Sequence, residues 1–178
     1  MTSAELEACI NTYGRALFSF CLQLTADRTE AEELYQDTFV KALERLDGID
    51  MQNNPKSYLL SIALRLWKNR KRKYAWRKRI AGIQALPQEQ GYEAFSEKEE
   101  SNGSNIPEEC VLAAEERERV WQAVRKLPGK QKIVVLLFYM EELSVGQTAA
   151  LLHIPKGTVK SRLHQARCAL AKELEDLV

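Results

Sequence analysis

Apolar positions in the first eighty residues recur at intervals of three and four. Leu6, Ile10, Tyr13, Leu17, Phe20 and Leu24 form one such series, the stripe of an amphipathic helix. A second series holds Ala31, Leu34, Tyr35, Thr38, Phe39, Ala42, Leu43 and Leu46. Asp27 or Thr25 is placed to cap its start, and Asp47-Gly48 to end it, with glycine supplying a left-handed turn. The polar loop GIDMQNN follows. Pro55 then stands at a third helix start, with Tyr58, Leu59, Ile62, Ala63, Leu66 and Trp67 as its stripe. No alternating run predicts a strand.

From about Ala81 to Pro107 the periodicity stops. Pro87, Gly91, the cluster SNGSN and Pro107 interrupt the chain, and Glu89, Glu93, Glu97, Glu99 and Glu100 outnumber the single Lys98. Such a composition buries too little apolar surface to offset ordering, which predicts a flexible acidic linker. Helical spacing resumes with Val111, Leu112, Val120, Val124 and Leu127, and Pro128-Gly129 ends that helix. The apolar block IVVLLFYM, Ile133 to Met140, predicts a buried helix, since it lacks the flanking turns of a strand. Ser144 and Gln147 have capping-box spacing for a short helix through Leu152. His153-Ile154-Pro155 then makes a tight turn into KGTVKSRLHQAR. The result is an all-α chain of two small helical domains, residues 1–80 and 108–178, joined by 81–107.

That last helix has a thin apolar side, Val159, Leu163, Ala166 and Leu170. Gly157, Ser161, His164, Gln165 and Cys168 lie opposite, flanked by Thr158, Lys160, Arg162 and Arg167. No acidic residue occurs between Glu142 and Glu173. A solvated face normally mixes both signs, so this one suits an anion. Two helices joined by a short turn, the second basic, make a helix-turn-helix whose second helix enters the major groove. Ser161, His164 and Gln165 then face bases, while Lys160, Arg162 and Arg167 meet phosphates, with Thr158 near the helix start.

A net charge of +1 over 178 residues makes the distribution of charge the informative quantity. From Lys56 to Ile80 there are ten Lys or Arg and no acid, with Tyr58, Trp67, Tyr74 and Trp76 interleaved. Cations among rings suit single-stranded nucleic acid, although Tyr58 and Trp67 share the phase of the core. Four scattered cysteines, Cys9, Cys21, Cys110 and Cys168, form no CxxC pair; Cys9 and Cys21 read as core thiols. With His153 and His164 the only histidines, and no carboxylate cluster at ligand spacing, neither a metal, a cofactor nor a small-molecule substrate is expected. No apolar run reaches the length of a membrane span and no secretory signal opens the chain, so a cytoplasmic protein is expected. A duplex-reading surface and an open-strand surface in one chain suggest a role in starting transcription. A dimeric DNA-binding regulator would use the same helix-turn-helix, and a nucleic-acid enzyme is the least supported reading.

The residues Glu33-Leu-Tyr-Gln-Asp-Thr-Phe39, the loop GIDMQNN and Pro55-Lys-Ser-Tyr-Leu-Leu-Ser-Ile-Ala63 resemble the first conserved domain of extracytoplasmic function sigma factors, of the sigma-70 family. Leu127-Pro-Gly-Lys-Gln131 through LSVGQTAALLHIPKGTVKSRLHQAR resembles their second. The resemblance implies that Glu33, Gln36, Asp37 and Val40 dock on the clamp of core RNA polymerase. It implies −10 contacts from the loop, Asp50, Met51, Gln52, Asn53 and Asn54, and from Arg65, Lys68, Asn69 and Arg72. The −35 element of promoter DNA falls to Thr158, Lys160, Ser161, Arg162, His164, Gln165 and Arg167. An anti-sigma factor is implied as a regulator. The side chains of Glu33, Gln36 and Asp37 lie off the apolar stripe with no need for partners inside the chain. Arg65 stands where many members carry Asn, Tyr58 replaces a common Trp, and Thr148 a common apolar residue. His153 replaces the usual Gly of the turn and must adopt a left-handed backbone.

Overall fold

A computed structural model describes residues 3–44, 54–80 and 108–175. The expected −10 loop residues Asp50 to Asn53, the Leu46 and Asp47-Gly48 end of the second helix and the acidic segment 81–107 lie outside the described residues. The fold is all-α, with no strand among the described residues. Helices α1 (Ser3–Thr25), α2 (Arg28–Leu43) and α3 (Pro55–Ile80) form the N-terminal half. Helices α4 (Glu108–Lys126), α5 (Gly129–Val135), α6 (Val145–Leu152) and α7 (Lys156–Glu175) form the C-terminal half. One π-helical turn, Leu136–Met140, continues α5.

In the N-terminal half α1 packs on α2, and α2 on α3. Leu17, Phe20, Cys21, Leu24, Ala31, Leu34, Thr38, Ala42, Leu59, Leu60 and Ala63 make its core. Asp27, in extended backbone, caps α2: its carboxylate accepts from the Glu30 N–H at 2.7 Å. The alternative cap, Thr25, instead donates to the Cys21 carbonyl at 2.9 Å. At the α1–α2 crossing a Cβ on Gly14 would come within 2.8 Å of the Tyr35 hydroxyl, so only glycine leaves room for that ring. Cys9 and Cys21 are buried as expected, and burial pushes the Cys21 thiol up to about 12. Two stripe positions depart from expectation. Ile10 and Leu43 are exposed, because no neighbouring helix among the described residues covers that part of α1 or α2.

In the C-terminal half α7 packs on α4, α5 and α6. The block Ile133 to Met140 is buried through Leu137, but it is not a uniform helix. It opens into the π-helical turn, with the Glu141 N–H reaching the Leu136 carbonyl at 3.1 Å, and Tyr139 emerges 52% exposed. Val120 is likewise exposed, while Val124 of α4 and Leu127 just after it are buried. The capping box forms as the spacing predicts. Ser144 Oγ accepts from the Gln147 N–H at 3.2 Å, and Gln147 Oε1 accepts from the Ser144 N–H at 2.9 Å.

The two halves pack against each other. Glu141, whose side chain is 1% exposed, forms an ion pair with Lys56 of α3 at 2.8 Å; the contact lies off the line of a hydrogen bond. Arg125 Nε donates to Gln23 of α1 at 3.3 Å. Gly129 faces the Trp67 ring, and an added Cβ would stand 3.3 Å from it. Trp67 thus packs across the seam, while Tyr58 packs against the core as its phase suggested. The seam also gathers like charges. Lys132 is held down to about 8, chiefly by burial and then by Lys71 and Arg125.

Candidate nucleic-acid interface

The apolar stripe of α7 is as narrow as its sequence implies: Val159, Leu163 and Ala166 are buried and Leu170 half-buried. Burying these four fixes the rotation of the helix, and rotation decides what faces outward. Ser161, His164, Gln165, Lys160 and Arg167 are exposed, with Thr158 and Arg162 at the margin. The turn before α7 holds this orientation. His153 sits in the left-handed region at φ 53°, ψ 48°, as expected for a residue at the usual glycine position. The Ile154 N–H returns to the Ala149 carbonyl at 3.0 Å, which satisfies an otherwise open end of α6. The Thr158 and Val159 N–H groups bond the Pro155 carbonyl, starting α7 at once.

The outward side chains are unevenly committed. Ser161 Oγ donates to the Thr158 carbonyl at 3.1 Å, and Gln165 Oε1 accepts from Gln131 at 3.5 Å, a weak contact that a base edge could displace. His164 Nε2 lies 3.8 Å from Cys168 Sγ. Arg167 differs: its Nε–H donates to the Tyr139 hydroxyl at 2.7 Å, with Cζ 5.7 Å from the ring centroid. The sequence reading placed Arg167 for phosphate and did not see this partner, which lies 28 residues earlier on the π-helical turn.

On α3, Asn54 caps the start by accepting from the Ser57 N–H at 3.2 Å, with its own backbone at φ 55°. Arg65, Lys68, Asn69 and Arg72 are exposed and fall on one side of the helix. With Tyr58, Ser61, Ile62 and Leu64 they form one wall of a cleft of about 440 Å³, whose other wall is Leu151, Leu152 and His153 of the helix-turn-helix. The structure thus brings the α3 candidates Arg65, Lys68, Asn69 and Arg72 together and places them opposite the helix-turn-helix. Beyond the cleft Tyr74 and Trp76 are each 60% exposed among cations, so their rings remain open to stack on bases.

The α2 face carries one correction. Glu33 and Asp37 do have partners inside the chain: Arg70 Nη1 lies 3.3 Å from Glu33 and Nη2 2.6 Å from Asp37. The reason is packing, since α3 crosses α2 at a point where a basic residue of the acid-free run reaches both carboxylates. Gln36 and Val40 remain exposed beside them, and Leu43 extends the same apolar edge.

Among the described residues no group of His, Cys, Asp and Glu could hold a metal ion. Nor is any described helix long and apolar enough to cross a membrane.

The family profile of sigma-70 region 2 matches residues 9–77, and that of sigma-70 region 4 matches residues 117–170. The ECF RNA polymerase sigma factor SigW of Bacillus subtilis is 31% identical over 172 residues, covering 94% of this chain and 88% of its own. The RNA polymerase sigma-E factor of Streptomyces avermitilis is 30% identical, with coverage of 96% and 86%. Among solved structures, the sigma factor RpoE in complex with the anti-sigma factor NepR from Bartonella quintana superposes with a TM-score of 0.74. It is 22% identical and covered at 96% of this chain and 97% of that one. CnrH in complex with the cytosolic domain of CnrY gives 0.65 at 20% identity, with coverage of 98% and 90%. These structures share the fold of the chain. With both regions matched in order and a relative aligned over nearly its whole length, the chain belongs to the extracytoplasmic function sigma factors of the sigma-70 family.

Proposed function

We propose that this sigma factor works as a dissociable, non-catalytic subunit of core RNA polymerase in the cytoplasm, with its parts divided as residues 1–80, 81–107 and 108–178. The observation that carries the reading is the pair of acid-free basic surfaces, one on α3 and one on α7, each oriented by its own buried stripe. In this reading Gln36, Val40 and the Glu33 and Asp37 carboxylates meet the polymerase clamp. Arg65, Lys68, Asn69 and Arg72, with the loop Asp50 to Asn54, hold the opened −10 strand. Helix α7 reads the −35 duplex, with Ser161, His164 and Gln165 at base edges. Lys160, Arg162, Arg167 and Thr158 meet phosphates. An anti-sigma partner belongs to the same reading, supported by the two structural neighbours, each of which is a complex with such a factor or with a partner's cytosolic domain.

The test is reconstitution. Wild-type chain mixed with core polymerase should retain core in a pull-down at moderate salt and select promoter fragments from a random library. Gln36→Ala/Asp37→Ala should lose most of the bound core. Equal retention by both proteins would remove the clamp assignment. Failure of the wild type to select any −10/−35 pair would remove the promoter assignment.

A further inference from the structure

Of Lys160, Arg162 and Arg167, the cations of α7 placed for phosphates, only Arg167 is held by another side chain among the described residues. An arginine on a helix surface samples many rotamers, and fixing it on binding costs side-chain entropy. The Tyr139 hydroxyl accepts the Nε–H at 2.7 Å, and the guanidinium lies within cation–π range of the ring. No carboxylate of the described residues pairs with Arg167, so its charge is not neutralised within them. Binding through Nε leaves Nη1 and Nη2 open, and these form the end-on fork that grips two oxygens of one phosphate.

Tyr139 itself owes its position to the backbone. Its neighbours Leu136 and Leu137 are buried, and a regular apolar block would bury more of the ring; on the π-helical turn Tyr139 is instead 52% exposed beside α7. A π-helical turn inside a helix frequently marks a functional position. We infer that Tyr139 is a positioning residue for Arg167, ordering its guanidinium end-on toward the DNA backbone before DNA arrives. This rests on the reading of α7 as the −35 helix.

The experiment measures binding of the full-length chain to a fluorescent duplex bearing the −35 element selected by holoenzyme, by anisotropy from 50 to 200 mM KCl. Arg167→Ala should weaken binding about tenfold and reduce the slope of log affinity against log salt by about one. Tyr139→Phe keeps the ring and the arginine charge. It should weaken binding roughly three- to tenfold, leave the slope unchanged, and add nothing in the Arg167→Ala background. Wild-type affinity for Tyr139→Phe would overturn the inference. So would an equal loss in both backgrounds, since Tyr139 would then act on DNA by itself. If Arg167→Ala and Lys160→Ala both bind like wild type, the α7 assignment falls and the inference with it. If Lys160→Ala alone weakens binding, α7 stands and only the role of Tyr139 is refuted. Circular dichroism melts of each variant confirm folding.

Discussion

The cations of α3 and those of α7 come from the same kind of sequence, a basic run with no acid in it, and end in different surroundings. On α7 the run stays outward: Lys160, Ser161, His164 and Gln165 face solvent, and Arg167 is held by the Tyr139 hydroxyl rather than by a carboxylate. On α3 much of the run is already engaged. Lys56 pairs with buried Glu141, Arg70 bridges Glu33 and Asp37, and Arg65, Lys68 and Arg72 look across a cleft at the helix-turn-helix. A missing acid within a helix therefore identifies a face suited to anions. It does not tell whether that face is open, because the neutralising carboxylate can arrive from another helix.

The largest test of that contrast is Lys56→Met, which leaves the Glu141 carboxylate enclosed without its cation. We expect a loss of about 3–5 kcal/mol in urea unfolding, with most of it restored by adding Glu141→Leu. A loss below about 1 kcal/mol would mean that water reaches Glu141 and the seam is open in solution.

Lys132→Met should act in the opposite direction by a smaller amount. The Lys132 ammonium is held down from 10.5 to about 8, so at pH 7 it is charged in both states and its burial opposes folding in full. As pH rises from 8 toward 10.5 the folded state has released that proton and the unfolded chain has not, so wild-type stability gains. The Met variant should melt roughly 2–4 °C higher at pH 7. Its advantage should shrink above pH 8; an advantage independent of pH would assign the effect to packing alone.

His153→Gly removes the left-handed strain at the turn and should stabilise the chain by about 0.5–1 kcal/mol while leaving α7 in place. Measured by thermal melting, a loss would show that the imidazole contributes more in the cleft than its backbone costs. Smallest in stability is Arg70→Ala, whose exposed pairs should be worth less than about 1 kcal/mol. Its informative readout is core polymerase retention, which should rise as Glu33 and Asp37 are released. Unchanged retention would count against a clamp contact through those carboxylates.

The elements of the fold were legible because their signals are local. The spacing of Leu17, Phe20 and Leu24, the Asp27 cap, the Ser144/Gln147 box and the thin stripe of α7 all act within a few residues, and each forms as expected. The left-handed backbone of His153 followed from the same local logic. What escaped depends on distant partners. Periodicity marks which side of Ile10, Leu43 and Val120 could be buried, but the area a neighbouring helix covers decides whether it is. Arg70 meets Glu33 and Asp37 across 37 and 33 residues, and Tyr139 meets Arg167 across 28. Thr148, noted as polar where apolar residues are common, is fully buried with no hydrogen-bond partner for Oγ1. The structure offers no compensation for it.

The seam between the halves has a metric consequence. The proposed function assigns the two halves to a −10 and a −35 element, positions whose numbers differ by about 25 base pairs, roughly 85 Å of B-form DNA at 3.4 Å per pair. The cleft places Arg65 and His153 in facing walls, so the closed chain cannot lay both halves on such a site. Residues 81–107, drawn out fully at about 3.3 Å each, reach roughly 90 Å, which matches the span. On the proposed assignment of the two halves, promoter DNA is a ligand of the parted form alone. Its apparent dissociation constant is the intrinsic one divided by the fraction of chains whose seam has opened. Any substitution that loosens Lys56 from Glu141 becomes, by the same division, a change in promoter affinity made without touching DNA.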